Sequence, residues 1–319
     1  MTEKTRWGIV STGRIAHQFA QDFEFVENGE LWAVSSRSQA AADKFAAQYQ
    51  VPRAYSSYAD MLQDENVDAV YIATPHNHHY QNSLDAIAAG KAVLCEKPIT
   101  VNTEECIELT RQATEAGVYL MEAMWTYFLP AIQKARQWVK EGRIGHVLHI
   151  KADFGYPLPY NPQRREYNVE NAGGCLLDMG IYPVALAWYF LQQDPDSMHT
   201  LARMAPNGVE NDVVTVWNYP HSVATLATSF HAKLQNWAYI IGEEGYIAIP
   251  DFWRANECQL FELDTKVDQF NDPRKSLGFN YEATAVGEDL AEGRLQSQTV
   301  PLSTSLRFQE HMERVKAGF

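Results

Sequence analysis

Short apolar runs alternate with helix-patterned segments from Trp7 to Ala123, and no other feature restricts the fold of this chain as strongly. Trp7–Val10, Leu31–Ser36, Asp68–Thr74, Ala92–Glu96 and Val118–Ala123 are continuous hydrophobic stretches, the pattern of strands buried on both faces. Helices between such strands force parallel pairing with right-handed crossovers, so the first part is expected to be an α/β, doubly wound parallel sheet. From about Trp125 the rhythm changes. A helix (Ile132–Lys140), a strand (Val147–Phe154), a polar loop and a long helix precede Val213–Tyr219, Val223–Phe230, Ala238–Gly242 and Tyr246–Ile249. Turn residues such as Pro220-His221 and Glu243-Glu244-Gly245 separate these runs at antiparallel spacing. Two domains are expected, the doubly wound one over residues 1–122 and an α+β one over 123–319, with the active cleft between them.

Composition narrows the partners. A formal net charge of −14 is repelled by duplex nucleic acid and by anionic membrane surfaces, which leaves small molecules. Cys95, Cys106, Cys175 and Cys258 stand singly without C-x-x-C spacing, so neither a zinc knuckle nor a disulfide framework is signalled, and a reducing cytoplasm is expected. The N-terminus runs straight into a strand pattern, which predicts no export. Cys175–Leu191 is short of a membrane span and carries Asp178 and Pro183; it reads as a core helix.

The first β-α turn reads Ser11-Thr12-Gly13-Arg14-Ile15-Ala16, a dinucleotide fingerprint whose first glycine is replaced by serine. Gly13 would admit a pyrophosphate to the helix N-terminus, and Ala16 would allow close packing; an ordinary tight turn is the alternative. At the end of the next strand stands Ser36-Arg37-Ser38, where an NAD site would carry a carboxylate. A guanidinium flanked by hydroxyls suits the 2′-phosphate of NADP rather than NAD, unless Arg37 is simply a solvated loop residue. Thr74, Pro75, His76, Asn77 and His79 follow the third long strand, at a carboxyl end where such sheets bind ligands. With no second ligand cluster near these histidines, no metal site is expected.

Glu96-Lys97-Pro98 ends another strand and should face the same crevice, although Lys97 could instead pair with Glu96. Asp178 and Tyr182, four apart in an apolar helix, share one face and form either a satisfied core network or a site. A phenol with an ordinary pKa near 10 needs a nearby cation to exchange protons at neutral pH, which is chemistry that Lys97 can supply.

The Gly13 turn, A-T-P-H-N-H-H, E-K-P, Met121–Thr126, G-G-C-L-L-D-M-G-I-Y and Phe279–Glu282 together resemble the Gfo/Idh/MocA oxidoreductases along essentially the whole chain. Many members have histidine where this chain has Tyr182; tyrosine is similar to the branch containing dimeric dihydrodiol dehydrogenases and NADP-dependent D-xylose dehydrogenases. The resemblance implies a Rossmann domain followed by a domain whose large open, mainly antiparallel sheet forms a homodimer. It also implies Lys97 near the nicotinamide, Tyr182 as acid/base, Asp178 binding or orienting, and a cis peptide before Pro98. Glu96 falls with the cofactor-binding residues, and Trp125 and Phe154 are candidates to wall the substrate. Tyr127 departs from the branch, where an arginine often follows W-T. The function expected is NADP-dependent hydride transfer to or from a secondary alcohol of a sugar or vicinal diol. A non-catalytic cofactor sensor and an NAD-dependent glycosidase are the alternatives on the same fold.

Overall fold

The computed structural model describes residues 4–319. In chain order the elements are β1 (Thr5–Val10), α1 (Arg14–Asp22), β2 (Gly29–Ser35), α2 (Gln39–Tyr49), β3 (Arg53–Tyr55), α3 (Tyr58–Leu62), β4 (Ala69–Ile72) and α4 (His79–Ala88). Next come β5 (Ala92–Glu96), α5 (Thr103–Ala116), β6 (Leu120–Ala123), α6 (Pro130–Lys140), β7 (Val147–Gly155), α7 (Ile181–Leu191), β8 (Ser197–Met204) and β9 (Glu210–Asn218). The remainder are β10 (Val223–Ser229), β11 (Ala238–Gly242), β12 (Tyr246–Ile249), β13 (Glu257–Glu262), β14 (Thr265–Asn271), α8 (Phe279–Ala291) and α9 (Leu302–Lys316).

By compactness the chain forms two units, Met1–Trp125 with Lys275–Leu306, and Thr126–Arg274 with Arg307–Phe319. The change of rhythm predicts one cut, after residue 122; the packing instead brings α8 into the first unit. Asp22, at the end of α1, accepts the N–H groups of Leu277, Gly278 and Phe279 at 2.8, 2.7 and 2.8 Å, and so caps α8. Tyr119 donates to Asp289 of α8 at 2.8 Å.

The first unit holds a six-stranded sheet ordered β3-β2-β1-β4-β5-β6, every neighbour parallel. All residues of β4 and β5 are buried, as their unbroken apolar sequences predict. Strand order reverses between β1 and β4, which opens the carboxyl ends of these strands to a ligand.

The second unit holds an eight-stranded sheet ordered β14-β13-β12-β11-β7-β10-β9-β8. It is mainly antiparallel as expected, with β7 and β10 as a parallel pair because the chain returns through α7 and the β8–β9 hairpin before entering β10. On one face α7 packs against β7 and β10, and α6 against β13 and β14. The apolar stretch ending at Leu191 is mostly buried in that layer.

Candidate active site

The first set of candidate side chains lies at the carboxyl ends of β1, β2, β4 and β5. Ser11 adopts a φ of 105°, a conformation L-residues rarely take, at the position where the fingerprint has its first glycine. Its Oγ accepts the Gly13 N–H at 3.1 Å, which ties the turn together. Gly13 is the N-cap of α1 and offers no side-chain cap, and the first turn carries no acidic residue. By contrast, Ser38 caps α2 and Asn102 caps α5. The α1 N–H groups are therefore left for an external anion, and a pyrophosphate fits them. Thr12 Oγ1 and Ser36 Oγ lie 3.3 Å apart, joining the turn to the end of β2. Arg37 beside them is exposed, with no carboxylate between Ser35 and Ser38.

At β4, Thr74 donates to Asn82 at 3.0 Å, and Pro75 precedes a short 3₁₀ turn, His76–His78, in which His76 is buried. His79 is fully buried, its Nδ1 2.7 Å from Pro98 O and its Nε2 2.7 Å from Thr74 O. At β5, the Lys97–Pro98 bond is cis, and the Lys97 N–H donates to Glu96 Oε2 at 3.2 Å. Tyr71 OH makes a short bond to Glu96 Oε1. Glu122, across on β6, and Glu282, on α8, are buried beside this strand end. Burial pushes the Glu282 carboxyl well above its ordinary range, with Glu96 and Asp22 adding to it.

The second set lies in the other unit, around a π-helical turn, Leu176–Gly180, that runs into α7. The α spacing places Asp178 and Tyr182 on one side because four residues exceed one turn slightly; in the π turn four residues fall slightly short, and the pair keeps that side with the opposite offset. Arg165, from the polar loop after β7, donates from both terminal nitrogens to Asp178 Oδ1 at 3.2 Å. Tyr182 is 6% exposed and sits among aromatic rings. Phe154 meets it edge-on at 5.4 Å, and Trp253 lies 6.1 Å away. Phe154 and Trp253 stack at 4.9 Å, and the Arg254 guanidinium covers Trp253 at 4.9 Å. Glu210, on β9, is buried against the start of the turn, and burial raises its carboxyl above the ordinary range. Gly174, with φ 139°, leaves room for that carboxylate: a Cβ there would lie 2.2 Å from Glu210 Oε1.

Comparison with known proteins decides the assignment. Residues 5–124 match the family described as an oxidoreductase family with an NAD-binding Rossmann fold, and residues 132–248 match the GFO/IDH/MocA C-terminal domain. The chain belongs to the Gfo/Idh/MocA oxidoreductase family. It is 36% identical to the mouse trans-1,2-dihydrobenzene-1,2-diol dehydrogenase over 98% of this chain and 96% of that protein, and 33% identical to the human one with the same coverage. The fold superposes on an aldose-aldose oxidoreductase from Caulobacter crescentus with a TM-score of 0.92, at 22% identity over 99% of this chain and 97% of that one. It also superposes on a 3-ketoreductase from Actinomadura kijaniata in complex with NADP and TDP-benzene, with a TM-score of 0.89 at 24% identity over 99% and 98% of the two chains.

In this Gfo/Idh/MocA oxidoreductase the candidate residues thus divide by unit. Ser11, Thr12, Gly13, Arg14, Ile15, Ser36, Arg37, Ser38, Thr74, Pro75, His76, Asn77, His79, Glu96 and Lys97 belong to the first; Phe154, Asp178 and Tyr182 belong to the second. Two of them have structural occupations: Ser38 caps a helix, and the His79 ring nitrogens face backbone carbonyls. Trp125, expected with Phe154, lies in the first unit, buried and stacked on Phe279 at 4.5 Å. Tyr127 is a core residue: it is 1% exposed, donates to Ala185 O on α7 at 2.5 Å and leans on Tyr189 at 4.2 Å. Sequence reading missed Arg165, Glu122, Glu210 and Trp253. None stands at a periodic spacing from the residue it meets; Glu122 falls within the Met121–Thr126 motif without being singled out there, and the doublet Arg164-Arg165 in a polar loop hinted at a cation.

Proposed function

We propose that the protein is an NADP-dependent dehydrogenase that oxidises a secondary hydroxyl of a vicinal diol or sugar, and reduces the corresponding carbonyl. The observation that carries this reading is Tyr182, a phenol set in an aromatic surround with the Arg165-held Asp178 one turn before it. Relatives above 30% identity named for a dihydrodiol substrate support the diol class. The uncapped N-terminus of α1 suits a pyrophosphate, and the exposed Arg37, with no carboxylate at the end of β2, suits a 2′-phosphate.

Bound NADP⁺ supplies the hydride acceptor. Tyr182, as the phenolate, would accept the hydroxyl proton when the carbinol hydride leaves for the bound cofactor, and as the phenol would return it in the reverse direction, with one proton released to solvent for each alcohol oxidised. Lys97 supplies the cation that favours the oxyanionic form of the reacting oxygens. Asp178, fixed by Arg165, orients a hydroxyl of the substrate, and the Phe154–Trp253 pair gives an apolar wall for a ring. The outward face of the eight-stranded sheet, with Leu201, Val214 and Val216 exposed, supports association into a homodimer.

The test is to titrate both cofactors by protein fluorescence and then follow reduced-cofactor absorbance with a panel of diols and sugars. Preference for NADP, its loss in Arg37→Asp, and turnover of a diol or sugar are expected. Tighter binding of NAD by the wild type, or cofactor binding without net reduction on any panel member, would overturn the reading.

A further inference from the structure

Glu122 lies on β6 opposite Cys95 and next in register to Glu96. It is wholly buried. Its Oε1 accepts the Ile99 N–H at 3.0 Å, just after the cis Lys97–Pro98 bond, and its Oε2 has no hydrogen-bond partner among the described residues. Two elements bring charged or polar groups to it. From the β5 end come Cys95, Glu96 and Lys97; from α9 comes Ser305. Glu96 is in turn held by Tyr71 of β4 and faces Glu282 of α8.

Resting on the role proposed for Lys97, we propose that Glu122 is a positioning residue for that lysine, holding the turn that carries it through the Ile99 N–H and changing the field at its ammonium by gaining or losing a proton. The placement gives both parts. The N–H bond sits two residues from Lys97, so the carboxyl oxygen anchors the turn whatever its charge, and a wholly buried carboxylate within electrostatic reach of Lys97 is little screened. Burial raises the carboxyl most; the Ser305 hydroxyl, the Ile99 N–H and Lys97 lower it, Glu96 raises it, and the result is about 7. Below that pH Lys97 acts on a developing oxyanion without an added carboxylate. Above it the Glu122 charge shares the ammonium and weakens its pull.

Two measurements test this. Turnover is followed from about pH 5.5 to about pH 8.5 in wild type and Glu122→Gln, whose amide oxygen keeps the Ile99 N–H bond but cannot ionise. The ratio of variant to wild-type turnover should rise as pH passes through about 7, by on the order of tenfold. Parallel profiles would overturn the proposal. Independently of any substrate, infrared difference spectra of ¹³C-glutamate-labelled protein should show a protonated carboxyl that titrates near neutrality and is absent in Glu122→Gln. In Lys97→Met its midpoint should move upward, because the lowering cation is gone; this comparison stands even if Glu122→Gln fails to fold. No such carboxyl, or one indifferent to Lys97, would overturn the proposal. A carboxyl that shifts as expected in a protein that turns over no diol or sugar would support the Glu122–Lys97 coupling and refute the substrate reading.

Discussion

Ser11 shows how a single residue departs from its motif without abandoning the motif's geometry. It holds the positive φ that glycine would adopt freely, and its hydroxyl recovers part of the cost by accepting the Gly13 N–H. Ser11→Ala keeps the strain and loses that acceptor, whereas Ser11→Gly removes the strain. Chemical denaturation should therefore place the glycine variant above the alanine variant by about 1 kcal/mol; equal stabilities would refute the account. Tyr182 is the other residue on which the proposed mechanism rests. Tyr182→Phe keeps the ring among Phe154 and Trp253 and deletes only the hydroxyl, so turnover should fall on the order of 10²–10⁴-fold while NADP titration changes little. A loss well under that range would pass the proton to another group. Lys97 and Tyr182 stand out in the sequence as candidates because a lysine ending a buried strand and a phenol in an apolar helix are both unusual. Arg165 and Trp253 were not, since their partners lie 13 and 71 residues away in sequence (178 − 165 and 253 − 182) and no local pattern links them.

Among the elements, the π turn at Leu176–Gly180 is where sequence spacing and structure diverge. The G-G-C-L-L-D block reads as a helix start, and so it is, but the Glu210 carboxylate reaches in from β9 and packs against Gly174 just before it. Gly174 is required twice, by its φ of 139° and by the carboxylate standing where a Cβ would go. Gly174→Ala should cost on the order of 1–3 kcal/mol from the backbone alone, with the clash in addition, and should displace Asp178 and Tyr182. Thermal melting should fall by several degrees and turnover should drop with it, while NADP titration, which reports the other unit, should hold. Unchanged melting would remove Glu210 as the seat of this turn.

On the scale of the whole molecule, the exposed apolar strip of the eight-stranded sheet sets the first expectation. Leu201 and Val214 are cross-strand partners, 78% and 42% exposed, and His199 pairs with Val216 alongside them. Sedimentation should give a dimer at micromolar concentration, and Leu201→Asp with Val214→Asp should give a monomer; a monomeric wild type would refute this. The buried carboxyls set the second. Glu122 rises from 4.5 to about 7 on folding, so its contribution to stability is fully present below about 4.5 and is lost as pH climbs through about 7. The loss is on the order of 3 kcal/mol. Denaturation of wild type and Glu122→Gln at a series of pH values should show a steeper slope in the wild type by that amount, the part common to both coming from Glu282 and Glu210, and parallel curves would discard it. The alternating apolar runs determined the parallel sheet by themselves, since a strand buried on both faces and followed by a helix has one economical way to pair. Fingerprint, strand-end lysine and helix tyrosine were local in sequence and could be read there. The division into units, with α8 packed in the first through Asp22, the π turn seated by Glu210, and the carboxyl cluster at Lys97 were decided only by tertiary structure. Each depends on burial and on contacts between segments far apart in the chain, and neither property is carried by any short stretch of it.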